Sequence, residues 1–271
     1  MPIRAVLFDL DNTLILEDES TLAAVRAAAA LAHARARVDA DAVANAAIET
    51  AERLWKTSSA FAHGEVFGIW WGEALWGAFA GDSPAAKTMR AFVPGFRAAV
   101  WRGALVAAGA SDDALADDLS HEYIRVRRSG ETIDPEAEPL LAALSRTYRL
   151  ALVTNGAGDV QREKLSRTPL GRYFSAVVIS LEVGAGKPDA GIFESALRAL
   201  DVGPAEAVMV GDSLVRDVQG ARNAGVRAIW IDRRLWDESG IVPDARISAL
   251  RDLPAALDAL ERRPASPRAT S

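Results

Sequence analysis

Residues Ala5, Val6, Leu7 and Phe8 form a short apolar run that stops at two carboxylates, Asp9 and Asp11, with Thr13 two positions further on. A run of four to eight apolar residues bounded by polar ones predicts a strand buried on both faces, as in a parallel sheet. A polar-ended connector over 14–19 follows, and then the periodicity changes. From 20 to 129 apolar positions recur at helical spacing, with no convincing strand. Ser20 is the expected cap of a helix over 21–37. Val43, Ala47, Ala51, Leu54 and Trp55 predict a second, behind Asp39 or Asp41 as cap. Ser83 and Pro84 open another, which Pro94 is expected to break. A helix over 111–128 carries Ser111 as cap, Asp112 and Asp113 in its first turn, and Arg125, Arg127 and Arg128 in its last. Those charges complement the helix dipole.

Beyond 130 the pattern alternates. Helices are predicted over 135–145, 159–167, 189–200, 218–224 and 253–260. Strands are predicted over 148–153, 174–179, 207–210 and 228–231, with a short segment at 246–248. Such alternation implies right-handed crossovers and a parallel sheet covered on both faces. The expected fold class is therefore α/β: a Rossmann-like parallel-sheet core with an all-helical cap domain inserted after the first strand. The core would comprise 1–17 and 131–262 and the insert 18–130. The Pro, Ser, Arg and Ala tail over 263–271 is expected to be disordered.

Composition narrows the function. The 271 residues include no cysteine, which excludes disulfides, thiol nucleophiles and thiolate metal sites. His33, His63 and His121 show no ligand spacing. A net charge of −6 argues against nucleic acid or an anionic membrane as partner. No stretch approaches the roughly 18 uninterrupted apolar residues of a membrane helix. The N-terminal residues lead into a strand rather than a signal peptide, so a cytoplasmic location is expected, as monomer or homodimer.

Chemistry is expected at the carboxyl ends of the strands, where open α/β sheets bind ligands. Asp9 and Asp11 lie at the first such end. The second carries Thr154, Asn155 and Gly156 ahead of a helix, a turn whose N–H groups suit an anionic phosphate. Gly184, Ala185, Gly186, Lys187 and Pro188 follow the third strand. A lone lysine is usually a solvated charge, so Lys187 gains meaning only beside the others. The fourth strand runs into Gly211 and Asp212, with Asp217 five residues on. Four carboxylates on adjacent strand ends repel one another unless a cation lies among them. An oxygen-only donor set selects Mg²⁺, which keeps waters and a substrate phosphate in its shell. With Thr154 and Lys187 the set meets the demands of phosphoryl transfer.

In these motifs the chain resembles the phosphatase branch of the haloacid dehalogenase-like (HAD) hydrolase superfamily. They are Asp9-x-Asp11-x-Thr13, Thr154, Lys187-Pro188 and Gly211-Asp212-x₄-Asp217, and the helical block resembles that family's C1-type cap. Residues 153–156 and 211–214 are similar to the N-acylneuraminate-9-phosphatase-like members. The resemblance implies that Asp9 is the nucleophile that forms an aspartyl-phosphate and Asp11 the general acid and base. Asp9, the backbone carbonyl of Asp11, and Asp212 would hold Mg²⁺, with Asp217 orienting a bound water or Lys187. Thr154, the Asn155 amide, Gly156 and Lys187 would bind the phosphoryl group, and Thr13 would fix the loop that aims Asp11. The substrate would be a small phosphorylated metabolite.

Other readings compete. A phosphomutase of the β-phosphoglucomutase type shares these motifs. A non-catalytic phosphate-ligand-binding regulatory protein would not need Asp9 and Asp11 together. Haloacid dehalogenases lack the second aspartate, and phosphonoacetaldehyde hydrolysis would want an early cap lysine where the chain has Arg26, Arg35 and Arg37. The tryptophans Trp55, Trp70, Trp71, Trp76 and Trp101 are expected to be core packing rather than a substrate wall.

Overall fold

The computed structural model describes residues 2–233 and 239–262. The strand β1 (Ala5–Phe8) leads into six consecutive helices. These are α1 (Glu17–Ala36), α2 (Ala40–Lys56), α3 (Phe61–Phe67), α4 (Trp71–Ala74), α5 (Pro84–Ala107) and α6 (Asp113–Arg127). Then α7 (Ala137–Leu144), β2 (Arg149–Thr154), α8 (Gly158–Ser166), β3 (Ala176–Ile179), α9 (Ser180–Val183) and α10 (Ala190–Leu200) alternate. The chain closes with β4 (Ala207–Gly211), α11 (Gly220–Asn223), β5 (Arg227–Ile231), β6 (Ala245–Ile247) and α12 (Leu253–Arg262).

The six strands form one sheet in the order β3-β2-β1-β4-β5-β6, every neighbour parallel. This is the doubly wound Rossmann arrangement, in which the order reverses beside β1. The four residues of β1 are fully buried. Val6 and Phe8 face one layer with Leu141, Leu253 and Leu257, while Ala5 and Leu7 face the other with Phe193 and Val218. Each such Val, Leu or Phe stabilises the fold by about 1.5–3 kcal/mol, which holds the carboxyl end of β1 in place. The α/β class and the helical insertion after β1 agree with the sequence reading.

The helical block packs around a core in which Trp55, Trp76 and Trp101 are buried with Phe96 and Leu119, and which Ala157, Val160 and Leu181 of the sheet side complete. Two connectors join it to the sheet, and they bind each other. Leu16 N–H donates to Thr132 O at 2.7 Å and Asp134 N–H to Leu14 O at 3.1 Å.

Local expectations fail at four places. Ser20 is no cap: α1 begins at Glu17, and the Ser20 hydroxyl accepts from Thr132 N at 3.0 Å, stitching the connectors together. Pro94 does not break α5, which runs through it from Pro84 to Ala107. Asp112, rather than Ser111, caps α6 by accepting from Leu115 N at 2.9 Å. Where a helix over 218–224 is predicted, a π-helical turn spans Leu214–Gln219, capped by Ser213, and α11 comes after it. The proposed tail over 263–271 and Trp236 lie outside the described residues.

Candidate active site

The ends of β1, β2 and β4 are adjacent in the sheet, so the turns that leave them converge. Asp9 continues β1, its N–H donating to Val210 O at 2.9 Å. The chain then turns tightly: Leu10 O accepts from Leu14 N at 2.9 Å and Ile15 N at 3.0 Å. Leu10 and Leu14 are fully buried, anchoring the turn that presents Asp9 and Asp11. The hydroxyl of Thr13, also buried, stands 3.5 Å from Asp9 Oδ2.

Lys187 Nζ lies 2.7 Å from Asp9 Oδ1 and 2.7 Å from Asp217 Oδ1. Asn155 clamps the lysine's backbone, accepting Lys187 N at 2.8 Å on Oδ1 and donating through Nδ2 to Lys187 O at 3.0 Å. Asp217 Oδ2 accepts from Ser213 N at 2.9 Å. Asp212 is fixed through its carbonyl, which accepts from Trp230 Nε1 at 2.8 Å. Asp9, Asp212 and Asp217 each bring a carboxylate oxygen within 4.8 Å of the others. Burial pushes Asp9 up to about 7 against the opposing Lys187 ammonium, while Asp217 and Asp11 add to the rise. For Lys187 burial works downward, and Asp217 and Asp9 overcome it.

Thr154 lies beside the same cavity, its Oγ1 accepting from Gln161 Nε2 at 3.0 Å. Gly156 is placed differently. Its N–H is taken by Phe67 O at 2.9 Å and Ser180 Oγ at 2.9 Å, which joins the turn to α3 rather than to the cavity. Gly186 is likewise pressed against the helical block, since a Cβ there would lie 2.2 Å from Val66 O.

Asp11 has partners that the sequence reading missed. Lys164 Nζ reaches both of its oxygens, at 2.9 and 3.0 Å, and Gln161 Nε2 donates to Oδ2 at 3.0 Å. The same ammonium is 3.0 Å from Glu17, whose two oxygens accept from Arg127 at 2.9 Å. A further missed residue is Glu73 of α4, which accepts from Ala157 N at 2.6 Å at the start of α8. Burial pushes its carboxyl up to about 8, against the pull of Lys164. The signal for Gln161 and Lys164 was present. With Ala157 and Val160 they occupy the positions of α8 that face inward, so two polar side chains stand where the helical period wants apolar ones.

The cavity measures about 620 Å³ and is lined by the Asp9–Asp217 cluster on one side. Leu22, Ile48, Trp70 and Trp71 of the helical block line the other. The tryptophans thus divide. Trp55, Trp76 and Trp101 pack in the core as expected, whereas Trp70 and Trp71, edge-to-face at 4.9 Å, form a wall of the cavity.

Comparison with known proteins places this geometry. The sequence profile of the haloacid dehalogenase-like hydrolases matches residues 3–225. A phosphoserine phosphatase of Thermus thermophilus is 39% identical over 262 residues, covering 93% of this chain and 98% of that protein. Human N-acylneuraminate-9-phosphatase is 35% identical over 156 residues, 56% of this chain and 63% of that one. Among solved structures, a 2-haloacid dehalogenase of Pseudomonas syringae is 30% identical, with a TM-score of 0.57 and coverage of 95% and 99%. With a family profile across most of its length and a phosphatase relative almost end to end, the chain belongs to the haloacid dehalogenase-like hydrolases, as a phosphoric monoester hydrolase of that family.

Proposed function

We propose that the protein is a Mg²⁺-dependent phosphatase that hydrolyses a small phosphomonoester through an aspartyl-phosphate on Asp9. The observation that carries this is the pairing of two carboxylates at one strand end with separate buried lysines, Asp9 with Lys187 and Asp11 with Lys164. Asp9 is thereby presented as nucleophile and Asp11 as acid and base. Asp9, Asp212 and Asp217 supply oxygen donors close enough to share one cation, a set that fits Mg²⁺. Asp9, Asp212 and the Asp11 carbonyl would hold the ion. When bound it offsets the carboxylates' repulsion and draws charge from the phosphoryl oxygens.

An Asp9 oxygen attacks phosphorus as the bond to the leaving oxygen breaks, and Asp11 gives that oxygen its proton. Asp11 then takes a proton from water, which attacks phosphorus and breaks the bond to Asp9, freeing phosphate. Thr154, the Asn155 amide and Lys187 hold the phosphoryl oxygens, and Thr13 steadies Asp9. The helical segment 18–130 acts as the cap over a core of 1–17 and 131–262. Dehalogenation, the reaction named for the Pseudomonas syringae relative, protonates no alkoxide and would leave Asp11 and its partners without a task.

Phosphoserine is the first substrate to test, because the relative bearing that name aligns over nearly the whole chain. Phosphate release from a panel of phosphomonoesters, with halide release from 2-haloacids as control, decides between the chemistries. Mg²⁺-dependent phosphate release without halide is expected. Asp9→Asn should fold normally and lose more than about nine-tenths of kcat, because the nucleophile carries several kcal/mol of the barrier reduction. Full turnover in excess EDTA would overturn the metal assignment.

A further inference from the structure

The two buried ammonium groups divide the labour at the strand end. Lys187 bridges Asp9 and Asp217, and Lys164 bridges Asp11 and Glu17. Lys164 is 1% exposed and is carried on α8, whereas Lys187 lies in the segment between α9 and α10. A buried ammonium is costly unless its protons are all engaged, and three carboxylate oxygens engage this one at 2.9–3.0 Å. One turn earlier, Gln161 donates from a single amide nitrogen to Asp11 Oδ2 at 3.0 Å, Thr154 Oγ1 at 3.0 Å and Asn155 O at 2.6 Å. Gln161 is 1% exposed as well. Neither side chain lines the cavity, so both act on it through Asp11 and Thr154, which do.

Within the phosphatase reading on which it rests, we propose that Lys164 and Gln161 are positioning residues. They hold the Asp11 carboxylate at the leaving oxygen and keep it in register with the phosphate-holding Thr154. A two-point grip on one carboxylate fixes its torsion, and a proton donor displaced by about 1 Å loses on the order of a hundredfold in rate. Without the grip, Asp11 would turn among several rotamers, and substrates that need a proton on departure would suffer most.

Leaving-group dependence reads this directly, since kcat/KM reports only the steps through transfer to Asp9. We would compare Asp11→Asn, Lys164→Met and Gln161→Leu on p-nitrophenyl phosphate, whose leaving group departs unprotonated, and on an alkyl phosphate. Loss of a positioned acid is expected to lower the alkyl value by roughly 10²-fold and the aryl value several-fold at most. Lys164→Met and Gln161→Leu should share the selectivity of Asp11→Asn at a smaller size. A uniform loss on both substrates, or none, in both variants overturns the positioning role while Asp11→Asn remains selective. If Asp11→Asn is itself unselective, the acid assignment falls, and the positioning role with it. Gln161→Leu changes no charge, so it keeps the test intact should Lys164→Met fail to fold.

Discussion

A Cβ atom at position 211 would lie 2.2 Å from both Cγ and Oδ2 of Asp217. No side chain can occupy that space while Asp217 keeps its contacts with Lys187 and the Ser213 amide. Gly211→Ala should therefore push Asp217 away, loosen Lys187 from Asp9, and destabilise by about 1–3 kcal/mol as an overpacked core does. Urea unfolding and kcat on the same preparation check it: kcat should fall at least about tenfold. Unchanged turnover would show that Asp217 is dispensable to Lys187. The motif residues around this glycine were legible because they sit where strands end. Gln161 and Lys164 were passed over although their inward spacing was there to read, because Arg162 and Glu163 beside them make α8 look like a solvated polar helix. What separates a buried lysine from a surface one is the carboxylate pair it meets, and Asp11 and Glu17 lie about 150 residues away in the chain.

At the scale of elements, the short α4 meets the start of α8 through one carboxylate. Glu73 closes the start of α8 by accepting from Ala157 N, and it is 2% exposed. Its carboxyl is raised to about 8, chiefly by burial. The folded protein thus retains a proton that the unfolded chain releases above its ordinary value of 4.5. Stability is complete below that value and is lost as pH rises towards 8. Glu73→Gln keeps the accepting oxygen and removes the charge. The variant should match wild type near pH 5 and exceed it by a few kcal/mol above pH 8, on the order set by such a shift. Urea midpoints at both pH values test this, and parallel pH profiles would refute it. Element types were legible from periodicity, whereas element ends were less so. Ser20 has a capping residue's chemistry, yet its hydroxyl serves a partner 112 positions away. Pro94 is tolerated inside α5, where it, Gly95 and Arg90 are exposed, so that water can serve the Arg90 carbonyl left without its helical donor. The π-helical turn after Ser213 aims Asp217 back at the strand end, a placement that a simple 3.6-residue period does not encode.

In the whole molecule, the helical block is joined to the sheet by a pair of connectors, by apolar packing on Ala157, Val160 and Leu181, and by a buried ion network. Glu17 ties Lys164 of α8 to Arg127 at the end of α6, and Arg127 also reaches Glu131 at 3.3 Å. The helical block and the Asp11 carboxylate therefore share one network of charges. Under the proposed mechanism, closure of the helical block would exclude water during transfer to Asp9 and readmit it for hydrolysis. Trp70 and Trp71 are the reporters, because they line the same cavity as Asp9, whereas Trp55, Trp76 and Trp101 are buried in the helical core. Adding Mg²⁺ with beryllofluoride, a mimic of phosphorylated Asp9, should shift the intrinsic fluorescence. Asp9→Asn should abolish the shift, and replacing Trp70 and Trp71 by Phe should remove most of it while Trp230 remains in the sheet. An unchanged spectrum, with beryllofluoride binding established by inhibition, would mean that the helical block stands still throughout the cycle. It would then select substrates by the shape of a rigid wall.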